Sequence, residues 1–164
     1  MTLKFCRLQG ESGHEAGRRL LRELYQEETG ETVLPEILVT DRGKPYFPGS
    51  TLYFSITHTK AHAFCALSHA PVGIDAEELD RKISPGLAEK ILSPGEKAQY
   101  DRSEDPRKTL LTFWVLKEAQ VKLTGEGLRG YPNHTNFILP GTAVREVDGC
   151  LLAVMEERGE TNVI

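Results

Sequence analysis

The chain of 164 residues contains no apolar run approaching the ~20 residues needed to cross a bilayer, so no membrane partner is expected. It also lacks a basic excess. Twenty lysines and arginines face 24 aspartates and glutamates, for a net charge of −4. A nucleic-acid binder normally shows a basic stripe, so none is expected as a partner. Cysteine is scarce: Cys6, Cys65 and Cys150 lie far apart in strand-like apolar runs, with no Cys-x-x-Cys pair. That spacing argues against a zinc knuckle, the odd count argues against a disulfide framework, and all three read as small core residues. The opening Met1-Thr2-Leu3-Lys4-Phe5-Cys6 alternates like a strand and has no long apolar leader, which suggests a cytoplasmic protein. Three familiar signatures are missing as well: the Gly-x-Ser-x-Gly elbow, the Gly-x-x-x-x-Gly-Lys-Ser/Thr phosphate loop and Gly-x-Gly-x-x-Gly.

What is present suits one domain, or two small halves sharing a core. Leu3 to Leu8 reads as a strand, and Ser12 caps a helix from about Gly13 to Thr29, with Leu20, Leu21, Leu24 and Tyr25 on one face and Gly30 as its stop. A Gly/Pro-rich loop over 41–49 precedes strands at Leu52 to Thr57, His62 to Leu67 and Val72 to Ala76. The middle is helical. Ser93-Pro94-Gly95-Glu96 carries three helix-start signals in register, and Asp105-Pro106 starts a helix that ends at Gly125. Strands are expected again at Asn136 to Leu139, Thr142 to Val147 and Cys150 to Met155, with Asp148-Gly149 as a hairpin turn. Strand, helix, strands, helices, strands is an α+β order.

Two segments carry unusual chemistry. In Val72-Gly73-Ile74-Asp75-Ala76-Glu77-Glu78, Asp75 and Glu77 are i and i+2 of a strand and project from one face, with Cα atoms about 6–7 Å apart. Such a pair suits a hard cation shared with phosphates, although a solvated acidic edge would look the same. In the helix ending at Gly125, Glu118 falls beside Trp114 and Leu111, and Lys122 beside Leu111 and Val115. These charges do not occupy a clean polar face, though as i and i+4 they can also simply pair with each other. Together, Asp75, Glu77 and Glu118 provide three carboxylates, and Lys44, Lys122 and His58 provide cationic or donor groups. That set fits a metal shared with a diphosphate better than it fits a nucleophile triad. His58 and His62 are four apart, but a strand-turn-strand setting gives little support for zinc. His14, His69 and His134 read as surface residues.

Four ordered blocks then resemble the Sfp-type 4′-phosphopantetheinyl transferases. They are Gly43-Lys44-Pro45-Tyr46-Phe47, Phe54-Ser55-Ile56-Thr57-His58-Thr59, Val72-Gly73-Ile74-Asp75-Ala76-Glu77, and Trp114-Val115-Leu116-Lys117-Glu118-Ala119-Gln120-Val121-Lys122 with Gly125-Glu126-Gly127-Leu128. The first is weak alone; the last two, about forty residues apart, are specific. The resemblance implies two similar α+β halves related by a pseudo-twofold axis, with the active site between them. Residues 1–70 would form the nucleotide end and 71–164 the metal site. It implies transfer of the phosphopantetheine arm of coenzyme A to a serine of an acyl or peptidyl carrier protein, with release of 3′,5′-ADP.

By the same resemblance, Asp75, Glu77 and Glu118 bind Mg²⁺, and Glu118 also acts as general base. Lys122 contacts the diphosphate, and Lys44 and His58 contact the nucleotide end. Thr57 stands where the family usually has serine, the family's arginine early in the first helix has no certain counterpart beyond Arg18 or Arg22, and the chain is short for the type. About seventy residues precede the Gly-Ile-Asp block, which favours a fused, monomer-like architecture. Arg81-Lys82 is a candidate patch for an acidic carrier. Two other classes fit the same residues: a coenzyme A or carrier-binding module without turnover, and a metal-dependent phosphohydrolase.

Overall fold

The computed structural model describes residues 1–126, 136–139 and 143–157. Strand β1 (Thr2–Arg7) leads into helix α1 (Gly13–Thr29), the short β2 (Leu38–Val39) and β3 (Pro45–Tyr46), then β4 (Tyr53–His58), β5 (His62–Ser68) and β6 (Val72–Glu78). Helices α2 (Leu87–Ile91), α3 (Pro94–Asp101) and α4 (Pro106–Thr124) follow, and β7 (Val144–Val147) and β8 (Cys150–Glu156) complete the order. The helix starts lie where the capping residues put them. Ser12 with Glu15 and Ser93 with Glu96 form capping boxes, and the Asp105 carboxylate accepts from the Lys108 amide. Gly30 and Gly125 end α1 and α4 in the left-handed region.

The strands form two three-stranded antiparallel sheets in the orders β1-β5-β4 and β6-β8-β7, with β2 and β3 as a separate two-stranded pair. Each large sheet is built the same way: a strand, a long helix, then a hairpin whose last strand pairs with the first. The long helices are α1 and α4. α1 buries Ala16, Leu20, Leu21, Leu24 and Tyr25 with Phe47, Phe54, Cys65 and Leu67. α4 buries Leu111, Val115, Leu116 and Ala119 with Leu151 and Ala153. A third cluster joins the sheets, combining Phe64 and Ala66 of β5 with Val72, Ile74 and Ala76 of β6 and Cys150 and Leu152 of β8. The two sheets therefore share one core.

Polar contacts also cross between the sheets. The Ile74 amide donates to Ser55 Oγ at 3.1 Å, so a side chain of β4 satisfies the backbone of β6. At the hairpin tips, the Arg7 guanidinium donates to both oxygens of Asp148, His62 Nε2 lies 3.0 Å from Asp148 Oδ2, and the Ala61 amide donates to Glu78 Oε1 at 3.0 Å. His62 Nδ1 faces Cys150 Sγ at 3.5 Å, so His62 is committed to this cluster.

Some expectations change. The segment 136–139 is not a strand. Its amides go to side chains of α3: Phe137 N donates to Glu96 Oε1 at 3.0 Å and Leu139 N to Gln99 Oε1 at 2.8 Å. Phe137 and Leu139 still pack against the α4 core while Ile138 is exposed, which explains the strand-like pattern. The helix α2 and the two-residue β2 and β3 are too short for periodicity to show. Cys65 and Cys150 are buried as expected, whereas Cys6 is half-buried with Arg19 Nη2 3.4 Å from its sulfur. Thr142 and His134 lie outside the described residues.

Candidate active site

The alternation of β6 sorts its side chains into two sets. Val72, Ile74 and Ala76 enter the shared core, and Gly73, Asp75 and Glu77 face α4. Gly73 makes that face close. A Cβ there would stand 2.1 Å from the Ala119 carbonyl oxygen and 2.3 Å from the Leu123 nitrogen. Helix and strand thus touch backbone to backbone, two residues before Asp75.

On α4, Trp114, Glu118 and Lys122 follow at intervals of four and form one stripe. Both ends of that stripe reach the acids of β6. Trp114 Nε1 donates to Glu77 Oε1 at 3.2 Å, and Lys122 Nζ donates to Asp75 Oδ1 at 2.7 Å. Asp75 is only 6% exposed, and the Thr57 hydroxyl donates to the same oxygen at 3.0 Å. The hydroxyl kept by threonine in place of serine is therefore in use. Glu77 is also paired with the Arg81 guanidinium, which lies 5.3 Å from the centroid of the Trp114 ring. The Lys122–Asp75 contact means that Lys122 crosses to the sheet.

A cavity of about 460 Å³ opens between the two sheets. Asp75, Ala76, Glu77 and Lys122 line it from one side, and Thr57, His58, Phe54, Ile56, His14 and Arg18 from the other. His14 and His58 meet edge to face with ring centroids 5.0 Å apart. Gly13 makes room for them, since a Cβ there would lie 2.4 Å from His58 Cγ. His14, expected only at the surface, is exposed and also lines the site. Arg18 lines it and Arg22 does not. The signal that was available is their spacing: His14 and Arg18 are i and i+4 on the exposed side of α1. His69, by contrast, is exposed and paired with Glu28.

A neighbouring cavity of about 220 Å³ shares Gly43, Pro45, Phe54, Ile56 and Lys122, and adds Arg42 and Lys44. Lys44 Nζ donates to the Leu123 carbonyl in the last turn of α4. Burial pushes its pKa below the ordinary lysine value. Of the six residues singled out by sequence, Asp75, Glu77, His58 and Lys122 share the larger cavity, and Lys44 joins Lys122 in the smaller. Glu118 is half-buried on the α4 stripe and lines neither.

The donor set can be tested against a cation. Asp75 and Glu77 place two carboxylates on one cavity. That fits magnesium, which is held by one or two carboxylates together with substrate phosphates. Among the described residues, no group of three or more His, Cys, Asp or Glu side chains is arranged to hold a metal by itself.

The chain is also similar in sequence to known proteins. Residues 71–148, which include β6 and all of α4, match the family model described as the 4′-phosphopantetheinyl transferase superfamily. A 4′-phosphopantetheinyl transferase of Bacillus subtilis is 32% identical over 96 residues, covering 55% of this chain and 41% of the relative. The 4′-phosphopantetheinyl transferase gsp of Aneurinibacillus migulanus is 31% identical over 88 residues, covering 52% and 36%. The 4′-phosphopantetheinyl transferase HetI of a Nostoc strain is 35% identical over 126 residues, covering 69% and 52%. The chain thus spans about half the length of these relatives or less.

Proposed function

We propose that the chain is a 4′-phosphopantetheinyl transferase, as its match to that superfamily over residues 71–148 and its likeness to curated members support, and that it moves the 4′-phosphopantetheine arm of coenzyme A to a serine hydroxyl of an acyl or peptidyl carrier protein, releasing 3′,5′-ADP. The observation that carries this reading is the single cavity in which Asp75, Glu77 and Lys122 face His14, Arg18 and His58. Acids on one wall and bases on the other suit a polyphosphate ester bound with a divalent cation. The repeated strand-helix-hairpin order supports reading residues 1–70 and 71–164 as pseudo-twofold halves with this site between them.

In the proposed arrangement, His14, Arg18 and His58 bind the phosphorylated nucleotide end. Lys44, across the shared wall formed by Gly43 and Pro45, borders the nucleotide. Lys122 leaves Asp75 or bridges it to reach the diphosphate and offset charge on the departing 3′,5′-ADP. Asp75 and Glu77 would hold Mg²⁺, with Glu118 as third acid because it sits between the two residues of α4 that already touch them. Bound there, Mg²⁺ would supply charge neutralisation at the diphosphate. Glu118 would accept the proton of the carrier serine as its oxygen forms the new bond to phosphorus and 3′,5′-ADP departs. Phe54 and Ile56 give one side of the cavity an apolar lining.

The test is an intact-mass assay with the protein, coenzyme A, Mg²⁺ and a panel of apo carrier proteins. The expected result is a carrier that gains one phosphopantetheine arm, with the gain abolished by a chelator. Coenzyme A bound but unconsumed with every carrier would mean a binding module. Coenzyme A cleaved with no carrier modified would mean a hydrolase.

A further inference from the structure

Both acids of β6 that line the cavity already carry a cation from their own chain. Lys122 sits on Asp75, and the Arg81 guanidinium sits on Glu77. Lys122 lines the cavity; Arg81 belongs to the turn that follows β6 and is half-exposed. The backbone of that turn is pinned independently. Arg81 N donates to the Glu78 carbonyl at 3.0 Å, and Arg107 donates to the carbonyls of Leu79 and of Arg81, the latter at 2.6 Å. The guanidinium can therefore leave Glu77 by side-chain rotation alone, with the turn held in place.

Glu77 Oε1 accepts from both Arg81 and Trp114 Nε1. A divalent cation that takes this carboxylate competes for the same lone pairs, and its charge repels the guanidinium. We propose that Arg81 is a built-in counter-cation of Glu77, which a divalent cation displaces on entering the site, so that Arg81 sets the cation affinity of the site. The proposal rests on the reading of Asp75 and Glu77 as the cation-binding pair. Each of the two carboxylates, one of them nearly buried, is thereby neutralised within the chain.

The molecule carries its own reporter. Trp114 is the single tryptophan, and the Arg81 guanidinium lies over its ring. Mg²⁺ titration followed by tryptophan emission reads the departure of Arg81. Mn²⁺ titration followed by the loss of free-ion paramagnetic signal reads binding directly. Both are run with and without coenzyme A on the full chain and on Arg81→Gln, Arg81→Lys and Lys82→Gln.

The expected result is that Arg81→Gln binds Mn²⁺ about two- to fivefold more tightly, the scale set by a half-exposed ion pair, and loses the Mg²⁺-dependent emission change. Arg81→Lys, which keeps the competing charge, stays closer to wild type. Lys82→Gln removes an equal charge from the neighbouring exposed position and changes affinity less than Arg81→Gln. Equal affinity and equal emission response in wild type and Arg81→Gln would overturn the role of Arg81 and leave the cation pair standing. So would equal gains from Arg81→Gln and Lys82→Gln, which would reduce the effect to general charge. No Mn²⁺ bound by any variant, even with coenzyme A, would overturn both.

Discussion

Asp75 shows how much one position can be asked to do. Its Oδ1 accepts from Lys122 and from Thr57, it is nearly buried, and it faces the cavity beside Glu77. A carboxylate so placed is tolerable only because both donors are present. Asp75→Ala is expected to lower kcat/KM for carrier modification by at least about a hundredfold, the scale of losing one electrostatic group from a transition-state site, with an unchanged far-ultraviolet circular dichroism spectrum. Intact-mass kinetics measures the first and spectroscopy the second; near-wild-type turnover would remove Asp75 from the site. Thr57 is tested separately. Thr57→Val removes the hydroxyl that Asp75 accepts from and should cost about 1–3 kcal/mol in urea unfolding, whereas Thr57→Ser should restore most of it.

Among the elements, the packing of α4 on β6 determines the geometry of the site. The close approach at Gly73 leaves no space for a methyl group. Gly73→Ala must push Ala119 and Leu123 away, and is expected to cost about 3 kcal/mol or more with a fall in activity, since the same shift moves Lys122 from Asp75. The other side of α4 is held by the ion pair of Lys117 Nζ with Glu96 Oε2 at 2.7 Å, in which both side chains are almost fully buried. Burial outweighs the pull of Glu96 and lowers the Lys117 pKa. Glu96 also accepts from the Ser93 and Phe137 amides, so it ties α3, α4 and the segment 136–139 together. Glu96→Ala leaves the buried lysine without that carboxylate and is expected to destabilise by about 3–5 kcal/mol. The double variant Glu96→Gln with Lys117→Met should recover much of this in the same unfolding measurement. No loss in Glu96→Ala would mean that the Lys117–Glu96 pair does not hold α3 and α4 together.

At the scale of the whole molecule, the two sheets are joined by the shared core and by the cluster at the hairpin tips. The Arg7 guanidinium, and after it His62, hold the Asp148 carboxyl well below the usual carboxylate range. A carboxyl depressed in the folded state stabilises at pH above its ordinary value, about 4, and loses that contribution as the pH falls toward the folded-state value. Asp148 has a φ of 48°, a conformation asparagine also tolerates, so Asp148→Asn keeps the turn while removing the charge. The difference in Tm between wild type and Asp148→Asn is expected at neutral pH and should close as the pH drops below about 4. A difference of the same size at pH 7 and pH 3 would show that the charge of Asp148 does not join the sheets.

Local chemistry is legible in a sequence when its signal is local. Ser12, Ser93 and Asp105 announced their helices because a cap acts within one turn, and Gly125 announced the end of α4 for the same reason. Alternation on β6 placed Asp75 and Glu77 on one face, and the family blocks selected Lys44, His58, Glu118 and Lys122. The sequence alone had no means to show which residues sit opposite each other. That Lys122 reaches Asp75 and that Arg81 covers Glu77 follow from how closely α4 lies on β6. That His14 meets His58, and that Arg18 lines the same cavity, follows from α1 packing beside β4. The segment 136–139 has the apolar pattern of a strand, but its amides are taken by Glu96 and Gln99, about forty residues earlier in the chain. Period and capping depend on neighbours in sequence, whereas pairing of charges depends on the distances that packing leaves between elements. The tertiary structure therefore decided the partners, and the sequence by itself determined the long helices, the main strands and most of the residues that have those partners.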